Sequence, residues 1–189
     1  MAIAPAEGDA LRQWVIRSRA SRTLEIGLGY GIGALSICEG LLRNGDAADA
    51  MHVTIDPHQW TRFGGVGLQL LDDAGVRELV EVREEESQLV LPRLLAEGRS
   101  FDLAVVDGNH RFDGVFVDLV YLGRLVRPGG IVFVDDYQLP SVVRAISFFR
   151  ANLDWTLEAT STDDERHHWA VLRTATAPDD RRFDHFVEF

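Results

Sequence analysis

The chain has 189 residues, a net charge of −11 and a hydrophobic fraction of 46%, which fits one domain with a sizeable core. The negative charge argues against a broad phosphate-binding surface, so nucleic acid is not an expected partner. No apolar run reaches the roughly 18 residues that span a bilayer, and the N-terminus lacks the basic-then-apolar pattern of a signal peptide, so neither a membrane nor secretion is expected.

Apolar β-type runs alternate with amphipathic helical stretches, the pattern of a parallel sheet covered by helices. The leading segment, residues 1–20, carries a helix over about Glu7 to Arg19. A first strand at Thr23–Ile26 leads into a helix at Gly31–Arg43. A second strand, His52–Ile55, precedes a helix over about Phe63–Ala74 with an irregular start at Gly64-Gly65. A third strand at Val80–Arg83 and a helix at Ser87–Glu97 follow. The fourth strand, Asp102–Val106, is a near-continuous apolar run that suits burial on both faces. A helix at Phe112–Leu125, a turn at Arg127–Gly130 and a fifth strand at Ile131–Val134 come next. A helix at Pro140–Asn152 leads to strands at Trp155–Ala159 and His168–Leu172. The polar turn Ser161–Glu165 between these last strands makes them an antiparallel hairpin. In the tail, residues 174–189, Phe183, Phe186 and Phe189 are expected to pack on the same chain, with a second subunit, and so a homodimer, as the alternative.

Cys38 is the only cysteine, so no internal disulfide forms and a reducing cytoplasm is the expected location. Between Ile37 and Leu41 on a helix, it reads as a small buried apolar residue. All 19 basic residues are arginine, which removes lysine from every catalytic assignment.

The first strand stops in four glycines at alternate positions, Gly27, Gly29, Gly31 and Gly33, and a helix begins at once. Glycine allows a ligand to approach the backbone, and a helix N-terminus offers unpaired N–H groups, so the turn reads as a cofactor cradle. Gly29-x-Gly31-x-x-Ala34 is the alanine variant of the dinucleotide fingerprint, which leaves NAD open on the turn alone. Glu25 lies two residues before the first glycine, where it would repel a pyrophosphate and welcome a cation. Asp56 ends the second strand, where a carboxylate can accept both hydroxyls of a ribose, whichever cofactor carries it, the alternative being a turn-forming Asp before Pro57. Glu86 and Ser87, after the third strand, can meet an adenine amino group, the alternative being a solvated loop with Ser87 as the helix N-cap.

Asp107 ends the fourth strand, and Asp135 and Asp136 end the fifth. On neighbouring strands these carboxylates converge, and two of them ~5 Å apart repel by roughly 3 kcal/mol at an effective dielectric near 20. A hard divalent cation, most simply Mg²⁺, offsets that repulsion, the alternative being that Asp136 caps the helix at Pro140–Asn152 and Asp107 only orders its loop. His110 lies three residues past Asp107 and reads either as a solvent-facing loop histidine or as a general base, since imidazole titrates near neutrality. His167 and His168 lack a partner at metal-ligand spacing and read as structural.

Four segments together, Leu24-Glu-Ile-Gly-Leu-Gly-Tyr-Gly31, Ile55-Asp56-Pro57, Asp102–His110 and Arg127–Asp136, resemble the class I S-adenosylmethionine-dependent methyltransferases. The leader Pro5-Ala-Glu-Gly8 and the pair Asp135-Asp136 resemble the small-molecule, metal-dependent O-methyltransferase branch of catechol, caffeoyl-CoA and sugar enzymes. The resemblance implies a Rossmann-like, doubly wound α/β sheet of seven strands in the order 3-2-1-4-5-7-6, strand 7 antiparallel. It implies that Glu25, Gly27, Gly29, Tyr30 and Gly31 surround the methionine part of S-adenosylmethionine. Asp56 would hold the ribose, Glu86 and Ser87 the adenine, and Asp107, Asp135 and Asp136 the metal, with Asp107 also beside the cofactor. Two departures stand out. Gly33 replaces a frequent serine, and Asn109 and His110 replace the branch's Asp or Lys bases.

The expected activity is Mg²⁺-assisted methylation of a small-molecule hydroxyl, with Asp107 and His110 as catalytic residues. The alternatives are an NAD-dependent oxidoreductase on the same fold and a non-catalytic cofactor-binding module.

Overall fold

The structure, a computed structural model, describes residues 3–45, 50–161 and 168–189. Thr162 to Glu165 of the expected polar turn, and His167, lie outside the described residues. Seven strands form one sheet: β1 (Arg22–Ile26), β2 (Met51–Ile55), β3 (Val80–Arg83), β4 (Phe101–Val106), β5 (Val126–Val134), β6 (Thr156–Thr160) and β7 (Ala170–Arg173). Their order is β3-β2-β1-β4-β5-β7-β6. The first five pair in parallel, while β7 runs antiparallel between β5 and β6.

Among the described residues, six α-helices flank the sheet: α1 (Pro5–Ser18) before β1, then α2 (Ile32–Arg43), α3 (Val66–Asp73), α4 (Ser87–Ala96), α5 (Phe112–Leu125) and α6 (Pro140–Asn152). Successive strand residues point to opposite faces, so each central strand feeds two cores. Leu24, Ile26, Ala104 and Val106 join the stripes of α4, α5 and α6 on one side. Leu103, Val105, Ile131 and Phe133 meet Leu11, Val15, Ile37 and Leu41 of α1 and α2 on the other. Cys38 is buried with α3 residues, and burial pushes its thiol up to about 12, so it is a packing residue. Asp102 ties the amino ends of three strands, accepting bonds from the N–H groups of Ser21 (2.9 Å) and Arg22 (3.0 Å) and from Arg127 Nε (2.8 Å).

Several expected bounds shift. α3 begins at Val66, because residues 57–65 turn irregularly until Gly65 caps the helix. Ser87 is the first residue of α4 and Glu86 its cap, without a side-chain capping bond. The expected turn at Arg127–Gly130 is a bulge inside β5: Val126 pairs with Phe101, and pairing resumes at Ile131 with Leu103. Its backbone is held by the β7 exit, through Thr174 N–H to Gly130 O (3.0 Å) and Gly129 N–H to Ala175 O (3.2 Å). The tail packs on α6: Phe189 lies edge-on to Phe148 at 5.1 Å beneath Arg144, and Asn152 binds the backbone of Val187 at both its N–H and its carbonyl. Phe183 is fully exposed.

Candidate active site

The chain reverses its direction of travel across the sheet between β1 and β4, and their carboxyl ends open a crevice there, the usual ligand position in such sheets. Gly27 leaves β1 with φ +100°, and a Cβ there would lie 2.2 Å from the carbonyl oxygen of Asp107. Only glycine lets the two strand ends come so close. The turn that follows uses its own amides. Gly27 N–H binds Ile55 O, Gly29 N–H binds Asp56 Oδ2 and Gly31 N–H binds Leu28 O, each at 2.8 Å. Gly29 faces open space, and Tyr30 is exposed on the rim, edge-on to Phe63.

Beneath the turn sits Glu25, 1% exposed. Parallel pairing aligns Glu25 with Thr54 and Thr23 with His52, so all four side chains share one face of β1 and β2. Thr54 Oγ1 donates to Glu25 Oε2 at 3.0 Å, and His52 Nε2 lies 3.4 Å from the same oxygen. The other ring nitrogen of His52 meets Thr23 Oγ1 at 3.0 Å. Asp56, 4% exposed, closes the adjacent loop: Oδ1 accepts from His58 N–H (2.7 Å), while Oδ2 takes Gly29 N–H and Gln59 Nε2 (3.0 Å). Farther along the sheet, exposed Glu86 bonds Gln88, and Trp60 Nε1 donates to Glu84 at 3.1 Å. Ser87 faces Asp118 of α5, which sits on that helix's apolar stripe at 1% exposure with no well-formed hydrogen bond. Burial raises Asp118 to about 6, partly offset by Ser87.

At the ends of β4 and β5, ligand atoms of Asp107, His110 and Asp135 all lie within 4.8 Å of one another. Asp135 is 7% exposed, and its Oδ1 has no partner. Burial, then the charge of Asp135, pushes the Asp107 carboxyl well above its ordinary range. Glu7 closes the cluster from α1. It is 2% exposed, its Oε1 meets no donor, and burial, then the charge of Asp135 and a hydrogen bond with that residue, raise it to about 8. Asp136, at φ +53°, is turned differently: Oδ2 lies 2.8 Å from His110 Nδ1, and Oδ1 accepts from Gln138 Nε2 at 2.6 Å.

The sequence matches the family described as "Methyltransferase domain" over residues 24–137, more than half of the chain. The chain belongs to the methyltransferase-domain family. No curated protein matches it. Among solved structures it is similar to cofactor-bound Rv0187 from MTB, with a TM-score of 0.77, 21% identity and coverage of 94% of this chain and 83% of that one. It is also similar to the O-methyltransferase TomG from Streptomyces achromogenes in complex with SAM (0.74; 23%; 92% and 82%). A third likeness is to the O-methyltransferase from Bacillus cereus in complex with SAH (0.75; 17%; 92% and 82%). At these identities the likeness is one of fold, the Rossmann-like methyltransferase fold expected from the sequence.

In this methyltransferase-domain chain the fold brings Glu25, Gly27, Gly29, Tyr30, Gly31 and Asp56 to one crevice, with Asp107, His110 and Asp135 beside it. Two expected positions differ in detail. Asp136, with its left-handed backbone, meets His110 Nδ1 through Oδ2, while the converging ligand atoms are those of Asp107, His110 and Asp135. Asp56 directs Oδ1 to the segment after β2 and Oδ2 to the glycine turn at Gly29 and to Gln59. Sequence reasoning assigned no role to Glu7, His52 or Thr54. The alternation of His52 and Thr54 on β2, in register with Thr23 and Glu25, is the one signal that could have found the last two.

Proposed function

We propose that the protein is an S-adenosylmethionine-dependent O-methyltransferase acting on a small-molecule hydroxyl. One observation carries this reading: a buried carboxylate, Glu25, lies beneath a glycine turn whose Gly27, Gly29 and Gly31 amides are already bonded within the protein. A pyrophosphate needs free N–H donors and no anion below it. A ligand with a cationic amino-acid end suits this arrangement, and S-adenosylmethionine also carries a sulfonium. The open space at Gly29 and the exposed rim at Tyr30 leave room for it. The solved relatives TomG and the Bacillus cereus enzyme, described with SAM and SAH, support the same cofactor.

S-adenosylmethionine supplies a methyl group already activated for transfer. The residues around it then have mainly to align an acceptor oxygen and accept its proton. Glu25, Gly27, Gly29, Tyr30 and Gly31 would hold the methionine part, Asp56 the ribose edge, and Glu86 and Ser87 the adenine. Asp107, at the junction, would face both cofactor and acceptor. The acceptor end fits a divalent cation, because the carboxylates of Asp107 and Asp135, the latter with an Oδ1 that meets no donor, converge there with an imidazole nitrogen of His110. A cation so held lowers the pKa of a bound hydroxyl and fixes its orientation.

Calorimetry with S-adenosylmethionine, S-adenosylhomocysteine and NADH tests the cofactor. Binding of NADH without S-adenosylmethionine would sink the proposal. A methyl-transfer screen against catechols, hydroxylated aromatics and sugars, with and without chelator, tests the acceptor class. Cofactor binding with no transfer to any acceptor would favour a non-catalytic module.

A further inference from the structure

The acceptor-end cluster holds one nitrogen ligand, and its surroundings assign it a role. His110 Nδ1 is held 2.8 Å from Asp136 Oδ2, which leaves Nε2 pointing at the acids. Nε2 is buried and has no hydrogen-bond partner. Its nearest carboxylate oxygen, Asp107 Oδ1, is 3.8 Å away, too far for a hydrogen bond. Two donors about 2.1–2.3 Å from a shared ion lie roughly 3–4.5 Å apart, so this separation suits two ligands of one ion. Asp135 Oδ1, equally buried and meeting no donor among the described residues, completes the converging set.

We infer that His110 is a metal ligand through Nε2, and that Asp136 orients it from behind, so that the site prefers a first-row transition ion such as Mn²⁺ or Co²⁺ over Mg²⁺. The inference rests on reading the cluster as a cation site. Both oxygens of Asp136 are engaged, one by His110 and one by Gln138, as expected of a residue that positions a ligand. A carboxylate behind a ligating imidazole fixes its tautomer and strengthens it as a donor. Ser141 Oγ fixes the same residue's backbone by donating to His110 O at 2.7 Å. Imidazole suits Mn, Fe, Co and Zn, whereas Mg²⁺ prefers oxygen ligands and retained water. With Nε2 on the ion, His110 is not the proton acceptor.

The test is calorimetric titration of the full chain with Mg²⁺, Mn²⁺ and Co²⁺ without cofactor, together with the visible absorption of bound Co²⁺. Wild type should bind Co²⁺ and Mn²⁺ at least about tenfold more tightly than Mg²⁺. His110→Gln should lose about tenfold or more in Co²⁺ affinity and change the Co²⁺ spectrum, with Mg²⁺ affinity little altered. Asp136→Ala should weaken Co²⁺ about tenfold or more while His110 stays a ligand in the spectrum. Circular dichroism on each variant checks folding, and His110→Asn serves as a second probe should the glutamine variant misfold. Unchanged Co²⁺ affinity and spectrum in the His110 variants, with binding lost in Asp135→Asn, would overturn the inference and leave the cation site standing. A wild-type preference for Mg²⁺ would do the same. Absence of binding of any of the three ions would overturn both.

Discussion

Glu25 occupies space that Gly33 leaves open: a Cβ at position 33 would lie 2.4 Å from Glu25 Oε1 and 2.9 Å from Ile3 Cδ1. The glycine at the start of α2 is therefore a steric partner of the carboxylate. The departure from serine noted in the sequence follows from this packing. Gly33→Ser should displace Glu25, weaken S-adenosylmethionine binding by about tenfold or more, and cost about 1–3 kcal/mol of stability as an overpacked site. Calorimetry and urea unfolding measure the two effects. Unchanged cofactor affinity in a folded variant would show that Glu25 does not serve the cofactor.

His52 supports the same carboxylate from below, fully buried at 3.4 Å. His52→Leu puts an apolar group beneath a buried acid, which should cost about 1–3 kcal/mol and weaken cofactor binding. His52→Gln retains a side-chain donor and should recover most of the binding. Equal affinities for the two variants in calorimetry would refute a positioning role.

Asp118 gives stability a pH dependence. Its folded-state pKa is raised from 3.8 to about 6 by burial, so between those values the folded state binds more protons than the unfolded chain. Stability therefore falls as pH rises through about 4 to 6, and the loss is complete above that window. Roughly two pKa units at 1.36 kcal/mol each set a ceiling of about 3 kcal/mol. Asp118→Asn should stabilise the protein at pH 7 by up to that amount and make no difference near pH 3. Urea midpoints for both proteins across pH 3–8 check this, and a gain independent of pH would contradict it.

The tail separates one working phenylalanine from one idle one. Phe189 packs against Phe148 at 5.1 Å with Arg144 4.5 Å above its ring, whereas Phe183 is fully exposed. Phe189→Ala should cost about 1 kcal/mol, and Phe183→Ser should leave the melting temperature unchanged. A drop in melting temperature for Phe183→Ser that grows with protein concentration would instead indicate that Phe183 is buried between copies.

The segments with strong periodicity were legible in the sequence. β3, α5 and α6 have the bounds that their residues predict, and the alternation of strand and helix fixes the side on which the crevice opens. The β5 bulge was not, because Arg127-Pro-Gly-Gly130 has the composition of a free turn, while the contacts that keep it in the sheet come from Thr174 and Ala175 at the far end of the chain. Glu7 was legible only as part of the leader Pro5–Gly8, with no role read for its side chain. An acid in the first turn of a helix is ordinary, and only the packing of α1 brings this one to Asp135. Asp136 was not separable from Asp135 by sequence: only the structure shows its positive φ and its contact with His110 Nδ1 at 2.8 Å.

The bonds that Asp56 makes to the amides of Gly29 and His58 have a consequence for how the crevice fills. They hold the glycine turn and the segment after β2 together whether or not anything lies above them. A loop already clamped loses little freedom when a ligand arrives, so the entropic cost of ordering it is small. Amide hydrogen exchange at Gly29 should then be slow in the empty protein. Loss of Asp56 would be felt first as a turn that must be ordered at each encounter, and only afterwards as a missing contact to the ligand.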